Sequence, residues 1–198
     1  KTEIVEPKKF NELLDRGSVH QGAALEVKPL KWGSISDICK HRDENSVVLL
    51  LDRVSDPHNV GAILRSAEVF GAQAVIGTQR HSAPETGALA KSASGTLERQ
   101  PYLRISNLSK SIEELKSLGF VILGLDGLAE KTINEGINSF PIGPIAFVLG
   151  AEGPGMRDKT KLFCDMLVKV PSFHGEGSLN VSNAAIVALY DIRHGNRI

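Results

Sequence analysis

Apolar residues are unevenly spread along this 198-residue chain. From Val47 onward, five short and almost unbroken apolar runs stand out: "VVLLLDRV" (47–54), "AVIGT" (74–78), "FVILGL" (120–125), "IAFVLG" (145–150) and "MLVKV" (166–170). A strand with one wet face alternates apolar and polar residues, whereas continuous runs of this length predict strands covered on both faces, as in a parallel sheet. Between the runs, apolar residues recur at helical spacing. They predict helices over 59–71, roughly 83–92, 107–118, near 157–163 and over 180–194. Strand and helix alternate, so the expected fold class is α/β, with a mostly parallel sheet and helices on both faces.

The first 46 residues follow another pattern. Residues 3–30 read as a short amphipathic helix around Phe10, Leu13 and Leu14 followed by the strand-like "AALEVKPL", and the polar, charged "KWGSISDICKHRDENS" (31–46) reads as a linker. The chain opens on Lys1 rather than Met, so the natural N-terminus is expected to lie elsewhere.

In open α/β sheets, ligands lie beyond the carboxyl ends of the strands. The polar, glycine-rich clusters fall there: "DRVSDPHN" after the first run, "GAEGPGM" after the fourth and "PSFHGEGSLN" after the fifth. Three loops are therefore candidates for one site. The last leads into "SLNVSNAAIVALYDIR", a helix whose start interleaves Ser178, Asn180 and Ser182 with apolar residues. Capping of a first turn accounts for one such polar residue but not for three.

Composition narrows the chemistry. The 23 basic and 23 acidic residues cancel, so a nucleic-acid partner would have to be held by a local patch. Candidate patches are Lys28, Lys31, Lys40, His41 and Arg42 in or beside the linker, and Arg157, Lys159 and Lys161 after the fourth run. Cys39 and Cys164 are far apart in sequence and form no metal-ligand cluster, so no metal is expected, and a reducing compartment fits them. No run is long enough to span a bilayer as a helix, so the expectation is a cytoplasmic protein with no membrane partner. Nucleotide motifs are also missing. No G-x-G-x-x-G follows the first strand, and "GPGMRDKT" has Asp158 where a phosphate loop needs glycine before its lysine.

Three stretches carry a resemblance. "DRVSDPHNVGAILRSAEVFG", "FVLGAEGPGM" and "VKVPSFHGEGSLNVSNAAIVALYD" resemble, in order and spacing, the three motifs of the SpoU/TrmH family of RNA ribose 2′-O-methyltransferases, of the SPOUT class. The match runs from about Val47 to Arg193. "GSVHQGAALEVKP" resembles the junction in members that carry an N-terminal L30-like RNA-binding domain, which implies that residues 1–30 are the tail of that domain and residues 47–198 the methyltransferase domain.

The resemblance implies what spacing alone does not. It implies a deep trefoil knot in the C-terminal part of the sheet, S-adenosylmethionine (AdoMet) as methyl donor, and a homodimer whose active site uses both subunits. RNA is the implied partner, ribosomal RNA ahead of transfer RNA, with a catalytically idle RNA-binding or ribosome-assembly factor as the competing reading. Carried over by motif position, the cofactor contacts fall on Leu125, Gly127, Gly150, Val170 and Leu179, and the catalytic positions on Asn59, Arg65, Glu152, Ser178 and Asn180. Where relatives often have Thr, this chain has Leu125.

Arg65 is the residue implied to assist the attacking 2′ oxygen. A guanidinium stays protonated, so its natural role is to clamp phosphate and stabilise a developing oxyanion. Asn59 is expected as the N-cap of the 59–71 helix as well as a site residue, and Glu152 is expected to orient Asn59 or Arg65. Ser182 is expected in the first turn of the last helix. His174 and Glu176 are expected in a solvated loop, with contact to RNA as the alternative.

Overall fold

All five apolar runs form strands in the computed structural model, which describes residues 2–14, 20, 22–173 and 177–195. They are β1 (Val47–Asp52), β2 (Ala74–Thr78), β4 (Val121–Leu125), β6 (Ile145–Gly150) and β7 (Met166–Lys169). Two strands were not anticipated: β3 (Tyr102–Ile105), where Arg104 interrupts the apolar pattern, and the two-residue β5 (Lys131–Thr132). The seven strands form one sheet in the order β3-β2-β1-β6-β4-β7-β5, and every pairing is parallel. Its central strands explain the unbroken runs: every residue of β1 and β2 is buried, because both faces are covered.

Odd and even positions of β1 serve two different cores. Val47, Leu49 and Leu51 pack with α3 (Pro57–Val69), α4 (Gly87–Ala93), α6 (Ile133–Ile137) and α8 (Val181–His194). Val48 and Leu50 pack with α2 (Ile35–Ile38), α5 (Leu108–Ser117) and residues around α7 (Asp158–Lys161). Where α3 meets α4, the chains approach too closely for a side chain. A Cβ on Gly61 would run into Ser92, whose hydroxyl donates to the His58 carbonyl at 3.3 Å.

The chain divides into two units, Lys1–Lys31 and Trp32–Ile198. In the first, α1 (Pro7–Leu13) is the amphipathic helix expected, and Phe10 stacks on His20. The strand-like 23–30 stretch is not a strand. It pairs with no strand among the described residues, and Leu25 and Val27 are exposed.

Residues 32–46, expected as part of a linker, fold with the second unit. Ser34 and Asp37 form a reciprocal capping box that starts α2, and this buries Ile35 and Cys39 in the core. The polarity of this stretch belongs to caps and turns, since Ser46 and Asp43 are also bonded to each other. At the other end, Arg193 of α8 donates to the carbonyls of Phe70 and Gly71, left open where α3 stops, and to that of Asn45 before β1. Among the described residues no helix is long and apolar enough to cross a membrane.

Candidate active site

Three of the strand-end loops meet through side chains. Asn180 is the N-cap of α8, its Oδ1 accepting from the Ser182 amide at 2.9 Å and from the Ser182 hydroxyl at 2.6 Å. Its amide nitrogen points the other way, donating to Asn59 Oδ1 at 3.0 Å and to the Glu152 carboxylate. One amide thus uses both ends, acting as a helix cap and as the bolt between the loops after β1, β6 and β7. That explains the polar start of α8: Asn180 and Ser182 hold the junction.

Two expectations change here. Asn59 is not the N-cap of α3; Asp56 is, accepting from the His58 amide at 3.0 Å, with Pro57 pre-set for the first turn. This frees the Asn59 side chain, nearly buried in the first turn of α3, to face Asn180. Glu152 bonds directly to neither Asn59 nor Arg65 but to the Asn180 between them.

Arg65 does not join this cluster. It lies six residues beyond Asn59 on α3, a rise of about 9 Å and roughly two-thirds of a turn away. It is exposed, with no hydrogen-bond or ion-pair partner among the described residues. Ser178 is likewise exposed, in the extended segment before α8, while His174 and Glu176 lie outside the described residues.

Four of the five residues assigned to the cofactor lie at or just beyond the ends of three adjacent strands, β6, β4 and β7, and Leu179 lies in the segment before α8. Continuing the β4–β6 and β4–β7 registers by one or two residues sets Gly150 level with Asp126 and Val170 level with Gly127. With neighbouring strands about 4.8 Å apart, Leu125, Gly127, Gly150 and Val170 form one ledge. Leu125 and Val170 are half-buried, Gly127 is exposed, and Leu179 stands 49% exposed. Gly150 has a reason of its own to be glycine. A Cβ there would collide with the backbone of Gly155 and Met156, because Ala151 and Gly155 bridge to fold the loop back on the strand end. The close approach is made by the chain itself.

That folded loop is locked by two acids the sequence reading did not assign, Asp52 and Asp126. Asp52, the fully buried last residue of β1, accepts from the Arg157 amide at 3.0 Å and from its guanidinium at 2.8 Å. At the other end of α7, Lys161 pairs with Asp126 at 2.5 Å. Burial works to raise the Asp126 carboxyl, but Lys161 and the Leu128 amide outweigh it and hold the group below its usual range. Arg157 and Lys161, candidates for phosphate contact, are therefore spent inside the fold. The sequence signal was Asp52 itself, an acid closing an otherwise apolar strand. Both thiols are raised by burial, Cys39 to about 11 and Cys164 to about 12, and are protonated at neutral pH.

The ledge suits AdoMet in chemistry. Leu125, Val170 and Leu179 offer apolar surface for an adenine at the place where open α/β sheets take their ligands. The Asn59–Asn180–Glu152 wall beside it offers polar groups for a ribose.

Comparison with known proteins identifies the family. Residues 46–190 match the family model described as the SpoU rRNA Methylase family. The chain is similar to the 23S rRNA (guanosine-2′-O-)-methyltransferase RlmB of Pseudomonas putida, 39% identical over 176 residues that cover 87% of this chain and 70% of that protein. It is similar also to the protein of the same name from Haemophilus influenzae, 40% identical over 180 residues that cover 89% and 72%. Among solved structures it resembles the SpoU methyltransferase AviRb from Streptomyces viridochromogenes in complex with AdoMet. There the TM-score is 0.68 at 27% identity, covering 79% of this chain and 59% of that one. The chain thus spans about three-fifths of the length of that solved chain.

Proposed function

The chain belongs to the SpoU rRNA methylase family, and from that premise we propose that it is an AdoMet-dependent ribose 2′-O-methyltransferase acting on ribosomal RNA. The observation that carries the proposal is the Asn59–Asn180–Glu152 network, which joins the loops of all three motifs into one polar wall beside the apolar ledge.

Leu125, Gly127, Gly150, Val170 and Leu179 hold the cofactor, which when bound supplies an electrophilic methyl group on a sulfonium. What remains for the protein is to place a 2′-hydroxyl in line and help its proton leave. Asn180 is fixed by four hydrogen bonds, so it serves as a rigid post. It leaves the Asn59 amide group and the second Glu152 oxygen to receive the ribose, with Ser178 at the edge. Arg65 clamps the adjoining phosphate and stabilises charge on the oxygen.

Arg65 stands away from the wall in its own chain, and we assign it to the site of a second copy in a homodimer. Exposed apolar residues on the paired helices support this: Val69 of α3 and Ile186 and Tyr190 of α8, with Tyr190 edge-on to Phe70 at 6.4 Å. The expected trefoil knot is supported by the sheet order, in which the late strands β6 and β7 are each inserted between strands formed earlier. Known connections almost never thread this way, so it is a specific claim. Residues 1–30 are assigned as the tail of an L30-like domain, and the protein to the cytoplasm, where the ribosomal RNA of its bacterial relatives is made.

Transfer of labelled methyl from AdoMet to ribosomal RNA purified from cells lacking the gene, followed by mapping of ribose methylation, tests the proposal. One 2′-O-methylated nucleotide restored in large-subunit RNA is the expected result. Methylation of transfer RNA alone would redirect the substrate, and AdoMet binding without transfer to either RNA would leave the idle-factor reading.

A further inference from the structure

Arginines in the second unit have two fates. Arg99, Arg104, Arg157 and Arg193 are spent on internal partners: Glu68, the 78–83 loop, Asp52 and the end of α3. Arg42, which follows the turn Cys39–His41, and Arg53, Arg65 and Arg80 are exposed and have no hydrogen-bond or ion-pair partner among the described residues. Arg65 has a place in the proposed chemistry; Arg53 and Arg80 do not.

Arg53 follows β1 directly, and its backbone is left-handed at φ 64°. A side chain disfavours that conformation, and glycine would take it without cost. The fold needs the turn there; it does not need an arginine. Arg80 and His81 follow β2, the parallel neighbour of β1. The register Leu51↔Gly77 sets Arg53 level with Gln79, so the two loops leave adjacent strand ends about 5 Å apart.

The second loop is also held unusually firmly. The Arg104 guanidinium donates to the carbonyls of Thr78, Gln79, Ser82 and Ala83, at 2.6–3.3 Å, and Tyr102 donates to Ala83 at 2.9 Å. Ser82 is buried and accepts from the Thr78 amide at 3.0 Å. Six side-chain bonds hold the loop's backbone, and the side chains of Arg80 and His81 are left facing solvent. The acidic residues flanking this rim are Asp52, buried and paired with Arg157, Asp56, engaged in capping α3, and the exposed Glu85.

We infer that Arg53, Arg80 and His81 form a phosphate-binding rim that carries the RNA strand past the carboxyl ends of β1 and β2 toward the Asn59–Asn180–Glu152 wall. This rests on the RNA-methyltransferase reading, and it assigns the RNA a path on the side of β1 opposite the AdoMet ledge. A chain of zero net charge can bind RNA this way because its cations near the site are divided: some neutralised within the fold, others held out on a rigid loop.

The test uses the whole chain, a fluorescein-labelled mixed-sequence 20-nucleotide RNA, and salt titration. Arg53→Gly is the informative single variant because it removes the cation while relieving the left-handed backbone. It should keep or raise the melting temperature, yet weaken RNA binding several-fold. The Arg53→Gly, Arg80→Ser, His81→Ser variant should lose roughly tenfold or more in affinity at low salt, and the log–log salt slope should fall by about 1.4–2, at about 0.7 per phosphate contact. AdoMet affinity should not change, and KM for RNA should rise more than kcat falls. Wild-type affinity and salt slope in the triple variant would overturn the rim, even if the enzyme methylates ribosomal RNA normally. A rim-dependent slope in a protein that transfers no methyl group would keep the rim and reject the methyltransferase reading.

Discussion

Arg157 and Arg65 sit in comparable places, each in a loop or helix that follows a central strand, and they do opposite work. Arg157 closes on a carboxylate with no solvent exposure and ties the loop after β6 to the end of β1. Arg65 is left unpaired on a helix whose other face is fully buried. The difference lies in the partner. A buried carboxylate demands a cation, because an unpaired charge in a core is far costlier than a paired one. Arg65 meets no such demand among the described residues, which leaves its guanidinium free for a group outside this chain. Arg157 serves the fold, Arg65 is the one proposed to serve the chemistry, and substitutions can separate the two roles.

The largest expected effect on stability is at the clamp. Arg157→Ala strands the Asp52 carboxylate in the core and should cost about 3–5 kcal/mol in urea unfolding. Replacing both partners with apolar residues, Asp52→Leu with Arg157→Met, should recover much of that loss, since no charge is then buried. Equal instability of the single and double variants would mean that the pair's hydrogen bonds, rather than the stranded charge, dominate.

Asn180 is intermediate because it has both roles. Asn180→Ala removes a cap and should cost about 1 kcal/mol. It also unbolts Asn59 from Glu152, so methyl transfer should fall about a hundredfold or more. Asn180→Ser restores an oxygen for the Ser182 amide but offers no amide donors. It should rescue most of the stability and little of the activity, and a joint recovery would make Asn180 purely a cap.

Much of this was legible in the sequence, and what was not has identifiable causes. β1 and β6 were plain because burial on both faces leaves continuous apolar runs. β3 was not, because Arg104 is read as polar although its guanidinium is consumed by four nearby carbonyls. The capping box at Ser34 looked like linker polarity for a similar reason: a polar residue bonded to its own backbone and one in solvent have the same letter. At the site, the three motifs gave Asn59, Glu152 and Asn180 by position, but not the order of their bonds. That order depends on Asp56 taking the cap of α3, which leaves Asn59 for Asn180.

The Lys161–Asp126 pair offers a smaller effect with a pH signature. It is partly exposed, so Lys161→Met should cost only about 0.5–1 kcal/mol near neutrality. Asp126 is held below its ordinary value in the folded state. Its contribution is therefore present above about pH 4 and is lost as pH falls through the folded value. Lys161 is raised by Asp126, so its contribution is complete below about pH 10 and is lost as pH rises through the folded value. The gap between wild type and Lys161→Met should be level from about pH 5 to 9 and close toward pH 2. A gap independent of acid would assign the effect to lost packing of the lysine stem.

The smallest effect on stability, and the most decisive, is at Arg65. Exposed and unpartnered, it should tolerate Arg65→Lys or Arg65→Ala within about 0.5 kcal/mol. The AdoMet ledge is built from β4, β6 and β7, so cofactor affinity should be unchanged in both variants. Methyl transfer should nevertheless fall about a hundredfold or more. Lys keeps the charge but lacks the planar fork that grips phosphate at two points, so it should rescue little. Mixing Arg65→Ala with Asn180→Ala tests where the guanidinium acts. If it serves the partner's site, mixed dimers contain one site that lacks both residues and one that is intact, and the two inactive proteins should regain up to about a quarter of wild-type activity at equal mixing and random exchange. No recovery from subunits shown to exchange would place Arg65 in its own chain's site. Arg65→Ala with normal transfer would remove it from the chemistry altogether, and an unpaired cation would then be no guide to function in this fold.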